Sequence, residues 1–226
     1  MTPLTKIDHL YFKREDQNIT GSAKDRALPL QVQNLIQEGY TSAVISSTGN
    51  AAISASFYCQ QANIPLTIFV SPKIKEEKIS LLKGKIIKSP KPISDAIKFS
   101  KSNHAYLLRQ STDPIAKIAY GQIATEILMQ LPNLTSIFIP VGSGTTLLGI
   151  SLVLPENVKI FAVQPASNPT ISSAFVTQYT KENDTITDAL SVKYLPLKRE
   201  IITAIQKHHG SGLIVSNQEV INCLDQ

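Results

Sequence analysis

Pro140-Val141-Gly142-Ser143-Gly144-Thr145-Thr146-Leu147-Leu148-Gly149 joins an apolar run of strand length, Ser136 to Val141, to a helical pattern through a turn of small residues. Gly142 and Gly144 free the backbone so that several N–H groups can converge on one phosphate, and Ser143, Thr145 and Thr146 add hydroxyls. The Gly-Lys-Ser/Thr ending of a nucleotide P-loop is missing. The dinucleotide spacing fails as well, because Thr146 and Leu147 follow Gly144 where a glycine would be required. Taken alone, the segment fits a plain turn as well as it fits a phosphate cup.

Working outward, the same strand-turn-helix grammar repeats. Apolar runs occur at Ser42 to Ser46, Pro65 to Val70, Lys159 to Val163 and Gly212 to Val215, and His9 to Lys13 reads as an edge strand. Near-continuous apolar strands suit a sheet covered on both faces. Between them, Lys24 to Glu38 puts Leu28, Val32, Leu35 and Ile36 on one stripe, Asn50 to Ala62 is rich in Ala and Ser, and Ala116 to Leu131 places Ile118, Ile123, Ile127 and Leu128 on a face. Strands alternating with helices at this spacing predict an α/β fold with parallel sheets.

Two further segments carry chemistry. In Asn18-Ile19-Thr20-Gly21-Ser22-Ala23-Lys24-Asp25-Arg26 a lysine opens a predicted helix directly after a Thr-Gly-Ser turn. An ordinary solvated lysine is mildly disfavoured there by the positive end of the helix dipole. That field and burial both lower an amine's pKa, which Schiff-base chemistry requires. In Ser46-Ser47-Thr48-Gly49-Asn50-Ala51-Ala52 a strand ends in a polar turn and a helix begins. Ser47, Thr48 and the first helical amides form an anion site of carboxylate size. Helix capping would explain one hydroxyl and leave the others and Asn50 unexplained. A reactive amine, a carboxylate cradle and a phosphate cup are together the parts of a pyridoxal-phosphate site.

In this combination the chain resembles the fold type II pyridoxal-phosphate enzymes, the tryptophan synthase beta-like group that includes threonine synthase, cysteine synthase and serine/threonine dehydratase. The likeness runs from Thr2-Pro3-Leu4 to about Asp225. Its markers are Phe12-Lys13-Arg14-Glu15-Asp16, Thr20 to Arg26, Ser47-Thr48-Gly49-Asn50 and Gly142-Ser143-Gly144-Thr145-Thr146. The resemblance implies two parallel-sheet, three-layer lobes with helices on both faces, in a compact version. A smaller lobe, 39–132, is inserted in a larger pyridoxal-phosphate-binding lobe made of 1–38 plus 133–226. It implies that Lys24 forms the Schiff base with pyridoxal 5'-phosphate and acts as general base at the substrate Cα. Asn50 would bind the phenolic oxygen of the cofactor. Ser47, Thr48, Gly49, Asn50 and Ala51 would hold the substrate carboxylate, and Gly142, Ser143, Gly144, Thr145 and Thr146 the cofactor phosphate. Asp25 and Arg26 would fix the lysine-bearing turn.

The implied reaction is β- or γ-elimination or replacement on a polar amino acid. Ser47-Thr48-Gly49-Asn50 looks most like threonine synthases, with serine/threonine dehydratase as the near rival, and Thr187-Asp188-Ala189-Leu190-Ser191-Val192 looks like the active-site-facing segment of both. Ala23, where threonine synthases carry Phe, leans toward cysteine synthases. Members usually continue well past the point matching Val215 to Glu219, and no residue here matches their partner for the pyridine nitrogen. Cys223 reads as a buried helix residue. A short natural member or a fragment would both leave a sheet edge to pair, which predicts a homodimer. A non-catalytic cofactor or amino-acid binding protein is the alternative from another class.

Composition bounds the remaining possibilities. The chain has 226 residues, 42% hydrophobic and 17% charged, with a mean hydropathy of +0.02. That composition argues against a disordered, self-repelling chain. No apolar run approaches the ~20 residues of a membrane span, and Met1 to Lys13 lacks an apolar signal core. Two cysteines, Cys59 and Cys223, give neither a disulfide framework nor zinc spacing. His208-His209 reads as a helix end with no third metal ligand, so no metal is expected. The cytoplasm is the expected compartment. Net charge is +5 and the pI about 9.1. The lysines from Lys73 to Lys91 are interleaved with Glu76 and Glu77 and have no aromatics among them, so small anionic molecules rather than nucleic acid are the expected partners.

Overall fold

The computed structural model describes residues 1–192 and 195–224. Two compact units divide the chain, Met1–Ala119 and Tyr120–Gln226.

In the first unit, β1 (Leu4–Ile7) and β2 (Leu10–Lys13) form an antiparallel ribbon with Leu4 opposite Lys13. The expected edge strand is thus one arm of a hairpin, which turns through Asp8 at φ 51°. There follow α1 (Lys24–Gln37), β3 (Ala43–Ser46), α2 (Asn50–Gln61), β4 (Leu66–Val70), α3 (Glu76–Ile79), β5 (Lys85–Lys88), α4 (Pro92–Ser102) and β6 (Tyr106–Leu107). The unit boundary falls inside α5 (Pro114–Gln130). The four strands run parallel in the order β5-β4-β3-β6. β3 and β4 are central and almost wholly buried, hence their apolar runs, while β5 sits at an edge with a lysine at each end. Val44, Phe69, Ala96 and Ala105 form a core under this sheet, with Ile87, Phe99 and Leu107 packed on it.

Helix faces depart from the expected stripes in two places. On α1, Leu28, Val32 and Leu35 are buried as expected, but Ile36 is 49% exposed and Gln31 is fully buried. Gln31 lies one turn from Leu28 and Leu35, so it falls on the inward face. Its amide donates to Asp113 Oδ2 at 2.6 Å. Asp113 also accepts from the Tyr106 hydroxyl at 2.8 Å and from the Ile115 amide at 2.9 Å, which caps α5. On α5, Ile123 and Ile127 are buried while Ile118 is 67% exposed; the inward face is built from Ala116, Ala119, Tyr120 and Ala124 instead. Apolar residues surround α5 on nearly every side, so spacing alone does not select its face.

The second unit continues with β7 (Ser136–Pro140), α6 (Thr145–Ser151), β8 (Lys159–Pro165), α7 (Lys198–Lys207), β9 (Ser211–Val215) and α8 (Asn217–Leu224). Its sheet is parallel, in the order β7-β8-β9. His208 ends α7, as expected, and is buried; its ring nitrogens lie 3.1 Å from the carbonyls of Val158 and Ser151. Cys223 is exposed rather than buried, as are all the residues of α8 from Ile221 to Leu224. Asp225, the expected end of the family likeness, lies outside the described residues. Among the described residues, no helix is long and apolar enough to cross a membrane.

Candidate active site

The first turn of α1 is built around Asp25. Pro29 has no N–H to give the Asp25 carbonyl four residues back, so the helix ladder lacks its usual bond there. Backbone bonds from the Asp25 and Arg26 amides to the Ser22 and Ala23 carbonyls remain, and side chains reinforce the turn. Asp25 Oδ1 accepts from the Thr20 hydroxyl at 2.5 Å and from the Ser54 hydroxyl at 2.6 Å, and Oδ2 accepts the Thr20 amide at 2.6 Å. Next to it, Arg26 forks onto Glu15 at 2.9 and 2.7 Å, and Glu15 also accepts from Thr2 at 2.6 Å. Burial raises the Glu15 carboxyl, yet the hydrogen bonds from Arg26 and Thr2 outweigh it and hold the group below the usual range. Asp25 and Arg26, directly after Lys24, therefore tie its turn to Thr20 and Glu15 before it. Lys24 is itself partly buried, and loss of water lowers its amine from 10.5 to about 8.

Ser54 lies on α2, one turn after Asn50, so the Asp25 carboxylate ties the lysine turn to the helix that opens at the second motif. Gly49 caps α2 and offers no side chain for the purpose. Ser47 Oγ accepts the Gly49 amide at 3.3 Å, a local turn bond, so neither Ser47 nor Thr48 is consumed as a helix cap. Ser47, Thr48, Gly49 and Ala51 are partly buried and Asn50 is exposed. The first amides of α2 have no intrahelical acceptor and point out of its N-terminus, where an anion is favoured.

The Gly-rich turn belongs to the second unit. Gly144 has φ +79°, and a Cβ there would stand 2.1 Å from Ile201 Cδ1 on α7. A Cβ on Gly142 would stand 2.9 Å from the Ala189 carbonyl, so the 188–190 segment lies directly against this turn. Ser143 Oγ and Thr145 Oγ1 are 3.3 Å apart; Thr145 is fully buried, while Ser143 and Thr146 are partly exposed.

Composition and spacing miss one support of this turn. Gln164, on β8 and 1% exposed, donates to the Val141 carbonyl at 3.1 Å and accepts the Ile171 and Ser172 amides at 2.7 and 3.0 Å. It pins the segment after β8 against the end of β7. A glutamine inside an apolar strand is the only sequence signal for it. Ser54 is missed too, since a serine in an Ala- and Ser-rich helix carries no mark.

Within the first unit, the buried amine of lowered pKa suits capture of an aldehyde and the opening of α2 suits a carboxylate; within the second unit, the turn at Gly144 suits a phosphate. The chain is 26% identical to an L-threonine ammonia-lyase of Thermotoga maritima, over 94% of this chain and 56% of that protein. It is 33% identical to a cysteine synthase of Helicobacter pylori, over 72% of this chain and 60% of that protein. Maize serine racemase has the same fold, with a TM-score of 0.82 at 18% identity over 95% of this chain and 69% of that one. The chain spans about half the length of the curated relatives it matches. The family model described as pyridoxal-phosphate dependent enzyme matches residues 1–226, and the chain belongs to that family, the fold type II, tryptophan synthase beta-like group whose members depend on pyridoxal phosphate.

Proposed function

We propose that this chain carries the catalytic core of a lyase that removes the β-hydroxyl of a small polar amino acid, threonine or serine, with release of ammonia and a keto acid. The observation that carries the reading is Lys24, an amine lowered to about 8 by burial at the start of a braced helix. Such an amine is part-neutral near physiological pH and can act as nucleophile and base. Pyridoxal phosphate, when bound, supplies an aldehyde that captures amines and a ring that takes up electron density as the Cα–H bond breaks. Lys24 Nζ would hold that aldehyde between turnovers and would accept the Cα proton. Ser47, Thr48, Gly49, Asn50 and Ala51 hold the substrate carboxylate, and Asn50 also meets the phenolic oxygen. Gly142, Ser143, Gly144, Thr145 and Thr146 hold the phosphate. The β-hydroxyl would depart as water together with the proton taken from Cα, and one water would then hydrolyse the released enamine to ammonia and the keto acid.

The L-threonine ammonia-lyase relative favours elimination over replacement. A threonine-synthase reading keeps one observation in its favour, the Ser47-Thr48-Gly49-Asn50 turn. The division into a 39–132 lobe and a lobe of 1–38 plus 133–226 belongs to the same proposal. The test is borohydride trapping after incubation with pyridoxal phosphate, with peptide mapping and Lys24→Ala as control, followed by product analysis. Label on Lys24 and keto acid from threonine are expected. Label without any product would make the chain a binding protein. Threonine formed from phosphohomoserine would move the assignment to the synthase, and absence of label in a folded protein would overturn the cofactor role of Lys24.

A further inference from the structure

We infer that Ser54 is a positioning residue: through its hydrogen bond to Asp25, α2 holds the lysine-bearing turn of α1 in place. The inference rests on the assignment of Lys24 and of the α2 opening made above. Three observations carry it. Ser54 is fully buried in the middle of α2, and its hydroxyl lies 2.6 Å from Asp25 Oδ1. The same oxygen accepts the Thr20 hydroxyl and its neighbour accepts the Thr20 amide, so one carboxylate joins the residues before Lys24, the residue after it and α2. Pro29 removes the helical bond to the Asp25 carbonyl, so the side-chain bonds of Asp25 add to a turn whose backbone bonds run from the Asp25 and Arg26 amides to the Ser22 and Ala23 carbonyls, at 3.2 and 3.1 Å.

Ser54 lies one turn from Asn50 on the same helix, so any shift of α2 that accompanies anion binding at its N-terminus is handed to Asp25 and from there to Lys24. Ser54 itself touches neither substrate nor cofactor in this scheme. It acts by keeping the amine in its dehydrated position while the carboxylate cradle is filled.

Two readouts separate this role from general stability. The first needs no cofactor: competitive acetylation of the cofactor-free protein across a pH series, read at the Lys24 peptide by mass spectrometry. The second is the rate at which pyridoxal phosphate is trapped on Lys24. Ser54→Ala is expected to raise the Lys24 labelling midpoint by about one pH unit, as water reaches the freed turn, and to slow trapping about tenfold. Ser54→Thr, which restores the hydroxyl, is expected to return both toward the wild-type values. If Ser54→Ala does not fold, Thr20→Val removes the other hydroxyl from the same carboxylate at a partly exposed position and is expected to act in the same direction. Unchanged labelling and trapping in the folded variants would overturn the inference. A wild-type chain that takes up no pyridoxal phosphate would remove the proposed function, while the acetylation series would still decide on Ser54.

Discussion

Lys24 stands at the first position of α1 with its amine lowered from 10.5 to about 8 by burial. Below pH 8 the folded and unfolded chains both carry the charge, and the fold bears the cost of dehydrating it. Between about 8 and 10.5 the unfolded chain binds the proton and the folded chain does not. Stability of the cofactor-free protein therefore rises with pH through that window. Lys24→Met is expected to stabilise the cofactor-free protein at pH 7, by on the order of 1–3 kcal/mol, and to flatten the rise above pH 8. Urea unfolding at a series of pH values checks this; a variant no more stable than the parent at pH 7 would contradict it. The two thiols make a second residue-scale contrast. Burial pushes Cys59 up to about 12, whereas Cys223 is exposed. Thiolate is the reactive form, so iodoacetamide is expected to modify Cys223 and spare Cys59 in the native protein.

α6 begins where Gly144 adopts φ +79° and Ile201 of α7 closes over it. An alanine there would meet both the left-handed backbone penalty and a side-chain collision at 2.1 Å, although Ile201 can yield in part. Gly144→Ala is expected to cost about 2 kcal/mol of stability and to weaken retention of phosphate-bearing ligands. Denaturant midpoints and equilibrium dialysis with pyridoxal phosphate measure the two effects. Loss of stability with unchanged ligand retention would separate this turn from any anion.

At the scale of the whole molecule, the three-stranded sheet β7-β8-β9 ends on β7 and β9. Phe138 on β7 is 52% exposed and stacks on Phe161 at 4.8 Å, and Leu213 on β9 is 38% exposed. Parallel sheets are stable when both faces are covered, and open edges invite pairing. A homodimer is the expected state, and sedimentation velocity at micromolar concentration checks it; a monodisperse monomer would contradict it.

Sequence alone determined the alternation of strands and helices, because β3 and β4 are central and nearly continuous in apolar residues, and the three turns, because Gly, Ser and Thr at strand ends are local chemistry. The helix openings at Lys24, at Asn50 and after the Gly142–Gly144 turn were legible for the same reason, since a helix start needs no distant partner to be recognised. What tertiary structure decided depends on residues far apart in the chain. Ile118 and Ile36 face outward and Gln31 inward because packing selects the buried face of a helix where its own pattern is ambiguous. Ser54 reaches Asp25 across 29 positions, and Gln164 reaches Val141 across 23. Hydrogen bonds of that kind satisfy buried polar groups only after the elements have met, and no local pattern announces them.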